Sequence, residues 1–357
     1  MDSIRIHTCE LFFFLIYNYI CKYNTIETLK YDDLYAVHFF PAGVCHILSR
    51  SWSAVEMFTK EEAVSFLQTT WGIKRVEERL HDDRKALLEE IAVQVQTKVP
   101  FQSITLMSVP LAERKRPSVA TIKEECMAGI GGLCYNLNVF AWGLLQALGF
   151  SAQLCPATCT STIMSPDNHL IILVSDLEKK GDLHLVECGV GFPTFRVISL
   201  DFKEESPVFV DSFLEYKYIR HEGQFLRMHG EGDTVKRNNP PIDGLDFILG
   251  KWRRFYFFTL HPKDSLSYFD AEFDKVFTIP NATPFHRSPR ALCFPEQRAV
   301  ILVNNRLMVE KEGGQLETTV LEGDEQIVDS YRRYFPLLGE DKVCRALKQW
   351  HSNQKWS

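Results

Sequence analysis

The hydrophobic pattern of this chain changes period once, near Gly149, and that change limits the folds open to it. Before it, apolar residues recur at helical spacing. Thr59-Lys60-Glu61-Glu62 has the form of a capping box, with Phe58 ahead of it and Ala63, Phe66 and Leu67 behind. Asp82 or Asp83 can cap a second helix with the stripe Leu87, Leu88, Ile91 and Val95, which Val99-Pro100 stops. A third run, 134–148, sets Leu137, Ala141, Leu144, Leu145 and Leu148 on one face before Gly149 ends it. After it come short apolar or β-branched runs at 151–155, 169–174, 183–188 and 216–219, which predict an antiparallel sheet or barrel. A loop rich in Gly, Asn and Pro at 230–244 precedes a strand at 254–260. Asn304-Asn305 and Gly313-Gly314 then supply hairpin turns between runs at 299–303, 306–310 and 316–321. A last helix at 324–335 turns Ile327, Val328, Tyr331, Tyr334 and Phe335 inward.

A chain of 357 residues exceeds one typical core, so two or three domains are expected. Its 45% hydrophobic and 24% charged residues exclude overall disorder. The net charge of -6 and the lack of a Lys/Arg stripe exclude a nucleic-acid footprint. Arg114-Lys115-Arg116, ahead of Pro117, reads as a solvated charged turn. The ten cysteines follow no repeating framework, which points to reduced thiols in the cytoplasm. Residues 11–20 are too short, and interrupted by Asn18, to span a bilayer. Their length fits a secretory apolar region, but no small-residue cleavage site follows. The sequon at Asn281 would matter only in a secreted chain.

The stretch Gly131-Gly132-Leu133-Cys134 aims a cysteine from a glycine turn into the first turn of a helix, where unpaired N–H groups and the helix dipole favour thiolate. Such a nucleophile needs a base and a group to orient the base. Asn168-His169 opens an apolar run, which would hold the imidazole at a strand end. Glu187 stands between Val186 and Cys188, ahead of Gly189-Val190-Gly191; a carboxylate in so apolar a run needs a partner, and an adjacent antiparallel strand can bring it to His169. Each residue alone also fits a structural role: a small buried hydrophobe, a satisfied core histidine, an ion pair. Asp167 lies too close to His169 to fold back on it, and Asp182 falls at the outer end of its strand. Cys155, Cys159, His169 and Cys188 are a lesser, zinc-binding alternative, because the second pair lacks close spacing. No metal is expected.

Five ordered segments together carry a resemblance. Ile130-Gly131-Gly132-Leu133-Cys134-Tyr135-Asn136-Leu137-Asn138 is similar to the Arg-Gly-Gly-x-Cys-x-(Glu/Gln)-x-Asn motif of the arylamine N-acetyltransferases. Val99-Pro100-Phe101-Gln102-Ser103-Ile104 resembles their Val-Pro-Phe-Glu-Asn-Leu, and His169 matches their strand-borne histidine. Val186-Glu187-Cys188-Gly189-Val190-Gly191 resembles Val-Asp-x-Gly-x-Gly. The segments 256–262 and 278–285 echo two further motifs in the right order.

The resemblance covers residue 58 to the C-terminus and implies an α+β fold: a helical bundle, a central antiparallel β-barrel and a C-terminal α/β lid around a papain- or transglutaminase-like Cys-His-acid core. Domains are accordingly expected at 58–149, 150–250 and 251–357, with 1–57 an extension lacking a family counterpart. It implies ping-pong transfer of an acetyl group from acetyl-CoA through Cys134 to an arylamine, hydrazine or N-hydroxyarylamine, with His169 as base and Glu187 as orienter, in xenobiotic metabolism. Thr278, Pro280, Thr283 and Phe285 are expected at the CoA cleft, and Phe101 and Phe192 in the acceptor pocket. The expected partners are acyl-CoA and a small amine; neither nucleic acid nor membrane is expected, and the protein is expected to be a monomer.

The pattern has departures. Glu187 replaces Asp. The family's buried charges become Ile130, Gln102 and, in an Arg-x-Gly segment, Thr70, while Asn136 also departs. Losing all members of such a network together is nearly neutral for folding. It bears on catalysis instead, and leaves a weakly active or inactive ligand-binding homologue as the alternative.

Overall fold

The computed structural model describes residues 57–160, 165–233, 246–280 and 282–354. All of the expected 1–57 extension except Met57, the apolar run 11–20 and Asn281 lie outside them. Val55–Ser357 form one compact unit.

Helix α1 (Lys60–Thr69) begins with the predicted capping box, both of its hydrogen bonds present. Helix α2 (Val76–Asp82), absent from the sequence reading, starts from Arg75 in the left-handed region and buries Val76 and Leu80. Helix α3 (Arg84–Lys98) buries Leu87, Leu88, Ile91 and Val95 as predicted, although Asp83 makes no side-chain cap. Two short elements follow, β1 (Phe101–Gln102) and α4 (Ile104–Met107), then α5 (Val119–Met127) with Ser118 as its cap. Helix α6 (Cys134–Ala147) is buried on every side from Cys134 to Leu145, not only along the predicted stripe. It contacts α1, α3 and α5 as well as the first two strands of the large sheet. Its Asn136 and Asn138 are therefore interior groups needing partners.

That sheet is antiparallel and runs in the order β5 (Ile198–Ser199), β4 (Leu183–Val186), β3 (His169–Ser175), β2 (Ser151–Cys159), β10 (Trp252–Phe258), β8 (Gln224–His229), β7 (Leu214–His221), β6 (Phe209–Asp211), with β9 (Ile248–Leu249) pairing on β10. The expected barrel is thus a curled sheet that does not close. Its tyrosines and phenylalanines, among them Tyr216, Tyr218, Phe225, Phe255, Tyr256 and Phe258, make a core of their own.

Beyond α7 (Asp270–Thr278), a second sheet has the order β1, β11 (Arg290–Cys293), β12 (Val300–Val303), β13 (Arg306–Glu310), β14 (Leu316–Val320). Both predicted hairpin turns stand, Asn304 with φ 57° and Gly313 with φ 84°. β1, close in sequence to the helices, pairs with β11 and ties the segment before Cys134 to this sheet. Helix α8 (Gly323–Tyr334) matches the predicted last helix; α9 (Glu340–Gln354) follows it, with Val343, Ala346 and Leu347 buried at helical spacing. Among the described residues no helix is long and apolar enough to cross a membrane.

Candidate active site

The glycine turn is built against β1. Gly131 has φ 73°, and a Cβ there would lie 1.9 Å from the Pro100 carbonyl oxygen, so no other residue fits without moving the chain. The Gly132 N–H donates to Pro100 O at 3.2 Å, and the Gln102 N–H donates to Gly132 O at 2.9 Å. Cys134 follows as the first residue of α6, with 7% of its surface exposed.

Facing it are the ends of two paired strands. In the β3–β4 register Ile172 opposes Val186, which puts His169 at the start of β3 and Glu187 just past the end of β4 on the same edge. His169 Nε2 lies 2.7 Å from Glu187 Oε2, both residues 1% exposed, and Cys134 interacts with the imidazole. With Nε2 turned to Glu187, Nδ1 is the ring atom left for the sulfur.

Burial, the largest single influence, would push the His169 pKa down, but the charges of Glu187 and Cys159 and hydrogen bonds to Cys134 and Glu187 together outweigh it and hold it well above the usual imidazole range. For Glu187 burial raises the pKa and is outweighed by the His169 charge, hydrogen bonds from His169 and Asn138, and the Arg227 guanidinium, which together lower it. The pair is therefore built to sit as imidazolium and carboxylate.

Asn138 completes the group. One helical turn past Cys134, its Nδ2 donates to Leu170 O at 2.7 Å and to Glu187 Oε1 at 3.0 Å, while its Oδ1 accepts from the Cys188 N–H at 3.0 Å. The Gly189 N–H adds a bond to Glu187 Oε1 at 3.0 Å. A Cβ at Gly189 would stand 2.8 Å from Cys134 O, so the loop after β4 approaches the helix as closely as backbone can. The longer glutamate arm is thus gripped on both oxygens. The spacing of Asn138 from Cys134, four residues along a helix, was the readable signal for its place here.

The other predicted residues fall in several places. Phe101 is buried against Phe285 (centroids 5.6 Å) and lies beside Gly191. Phe192 points into the curled sheet, onto His229 and Phe255. Thr278 and Pro280 are exposed at the end of α7, whereas Thr283 is buried with its hydroxyl unpartnered among the described residues. Asp167 accepts from the Tyr268 hydroxyl, and Asp182 accepts from the N–H groups of Leu177, Glu178 and Lys179, so both rival carboxylates are engaged elsewhere. The four residues of the zinc alternative do not converge: among the described residues only Glu178, Asp182 and His184 bring three such ligand atoms together.

Of the lost family charges, Gln102 is buried and bonds Thr105 through both side-chain ends, Ile130 packs on the C-terminal core, and Thr70 is exposed. The reading of 114–116 as a solvated turn is corrected for two residues. Arg114 is 6% exposed and donates to Val109 O and His286 Nδ1, and Arg116 bonds Asp270, Asp274 and the Tyr135 hydroxyl, because α7 packs over this loop. A second buried polar group escaped the sequence reading altogether: Arg227, His229 and Asp233 in the curled sheet.

Comparison with known proteins sets this geometry in a family. A search by sequence against curated proteins returned no match. Solved structures do match: arylamine N-acetyltransferase from Nocardia farcinica at 19% identity and TM-score 0.64, over 82% of this chain and 95% of that one. The Mycobacterium marinum enzyme, solved in complex with CoA, matches at 16% and 0.62 over 81% and 98%, and that of Mycobacterium abscessus at 18% and 0.62 over 84% and 99%. At such identities these likenesses establish the fold. A family model described as N-acetyltransferase matches residues 86–342, well over half of the chain, and the chain belongs to the arylamine N-acetyltransferase family.

Proposed function

We propose that this protein is an acyl-CoA-dependent N-acetyltransferase working through a Cys134 thioester. The observation that carries the reading is the buried His169–Glu187 pair, 2.7 Å apart, with Cys134 at the head of α6 interacting with the same imidazole. Cys134 attacks the thioester carbonyl of acetyl-CoA as the thiolate, its proton already held on the His169 imidazolium. The C–S bond to CoA breaks, and CoA leaves as the thiol with that proton. An arylamine, hydrazine or N-hydroxyarylamine then attacks the acetyl-enzyme, its proton passing through His169 to the departing cysteine sulfur. Glu187 holds the imidazole in orientation and balances its positive charge.

The acceptor would enter beside Phe101, where Phe285 brings the Thr283 segment against the site, and that segment would meet CoA. Phe192 then acts as support for the sheet wall. No metal takes part, and the reading assigns a cytoplasmic monomer whose thiols stay reduced.

The test is intact mass spectrometry after exposure to a panel of acyl-CoAs. One added acetyl group, absent in Cys134→Ala and removed by an aromatic amine, is the expected result. An unmodified wild-type mass with every donor would sink the reading.

A further inference from the structure

Behind the catalytic turn the protein holds a cavity of about 470 Å³, lined by residues of α4, the 109–118 loop, α5, the glycine turn and Phe277. It is not the cleft of Cys134. The two residues of β1 divide the two spaces: Phe101 faces Phe285 and Gly191, and Gln102 faces the cavity. Neither Cys134, His169 nor Glu187 lines it.

Two residues of its wall each carry a buried polar atom without a partner among the described residues, Arg114 Nη2 and Asn136 Oδ1. Arg114 is 94% buried and Asn136 96%, from exposures of 6% and 4%. The rest of the Arg114 guanidinium is satisfied by neutral acceptors: Nε donates to Val109 O at 3.0 Å, and Nη1 meets His286 Nδ1 at 2.6 Å. The other ring nitrogen, Nε2, lies 2.8 Å from Val276 O and carries the proton, which leaves Nδ1 as an acceptor and the ring neutral. The wall carries two carboxylates, exposed Glu113 and half-buried Glu125. Among the described residues neither of them, nor any other acid, pairs with Arg114. Burial lowers its pKa, the mark of a charge without a counter-charge.

A buried cation lining a void of this size is an unfinished interaction, since a lone interior charge is unfavourable unless paired. Asn136 Oδ1 asks for a donor in the same space. Leu106, Val109, Leu133 and Phe277 give the cavity its apolar surface, and its volume lies in the usual range of small-molecule sites.

We propose that this cavity is a second small-molecule site, which binds an aryl carboxylate bearing a hydroxyl or amino donor. The carboxylate pairs with Arg114, with exposed Lys115 at the mouth. The donor reaches Asn136, and the ring lies against Phe277.

Calorimetry of the full chain with 6-hydroxy-2-naphthoate as the probe tests this. Wild type should bind one equivalent, and Cys134→Ala in saturating CoA should bind equally well. Arg114→Met should weaken binding at least about tenfold, the loss of one charge-assisted contact. Val109→Trp, which fills the cavity, should abolish it in a protein whose thermal transition is intact. It also keeps the test open should Arg114→Met fail to fold. Absence of binding by wild type, displacement of the probe by CoA, or unchanged affinity in Val109→Trp would each overturn the proposal.

Discussion

Among the described residues, two buried histidine–carboxylate pairs have nearly equal geometry, and their difference shows what makes one of them a candidate site. His169 and Glu187 meet at 2.7 Å, His229 and Asp233 at 2.6 Å. The distinction lies at the second ring nitrogen. In the first pair that nitrogen is turned to a thiol at the head of a helix. In the second, His229 Nε2 accepts from Arg227 Nε at 2.9 Å, and its ring stacks on Phe255 at a centroid distance of 4.4 Å. Arg227 is itself wholly buried, bonded to Thr194, Tyr218 and the Pro193 carbonyl, and lies over the Tyr216 ring. A guanidinium on the imidazole holds it as a structural acceptor, whereas a thiol on the imidazole can lose a proton to it.

The sharpest way to break this comparison is to exchange the side chains that distinguish the pairs. Cys134→Ala or His169→Gln should lower acetyl transfer by at least about a thousandfold, read as turnover with an aromatic amine. His229→Gln, by contrast, should leave turnover per folded molecule nearly unchanged. Equal losses from the two histidine variants would erase the distinction.

Glu187→Gln keeps the shape and removes the charge, so turnover should fall by roughly a hundred- to ten-thousandfold. Asn138→Ala frees one oxygen of Glu187 and should cost about a hundredfold in turnover, the effect expected of misplacing a catalytic group. If Asn138→Ala alters only the melting temperature, its bonds serve folding alone.

Stability should separate the pairs in the opposite direction. His229→Ala strips Asp233 and Arg227 of a buried partner and should lower unfolding free energy by about 3–5 kcal/mol, measured by urea denaturation.

The smallest expected effect is the pH dependence of the His169 pair. Its histidine has a raised pKa, so that contribution is complete below the ordinary value of 6.5 and fades as pH climbs through the folded value. Glu187 has a lowered pKa, so its contribution is complete above 4.5 and fades as pH drops through its folded value. Wild type should therefore exceed Glu187→Gln in thermal midpoint most between pH 4.5 and 6.5. An advantage that is flat across pH 4 to 9 would mean that the two groups are not an ion pair.

What could be read from the linear chain was whatever rests on neighbours. The capping box at Thr59, the stripe of α3 and the turn at Asn304-Asn305 are all set by residues within a few positions, and they stand where periodicity puts them. Helix α9 shows that this reach had room left, since Val343, Ala346 and Leu347 carry the same helical spacing. β1 and β11 were out of reach: a two-residue strand has no period, and its pairing of Phe101 with Leu292 is a contact across the chain. Arg114 was misread because charge run and proline describe a surface turn until α7 is laid over it. Phe192 was expected in the acceptor pocket from the family resemblance alone; its contacts with His229 and Phe255, which are far along the chain, had no local signal.

By itself the sequence determined the local chemistry: a cysteine at the head of a helix behind a glycine that tolerates φ 73°, a histidine opening a strand, and a carboxylate in an apolar run. Those features follow from bonding within a turn or two of backbone, which the order of residues dictates. Only the tertiary structure decided that Glu187 reaches His169 despite its extra methylene, that Asn138 grips it, and that Arg114 faces a void behind the turn. These depend on groups between 18 and 172 positions apart in the chain. Their distances are set by how helix α6 is packed between its neighbouring helices and the curled sheet, and no local pattern encodes that.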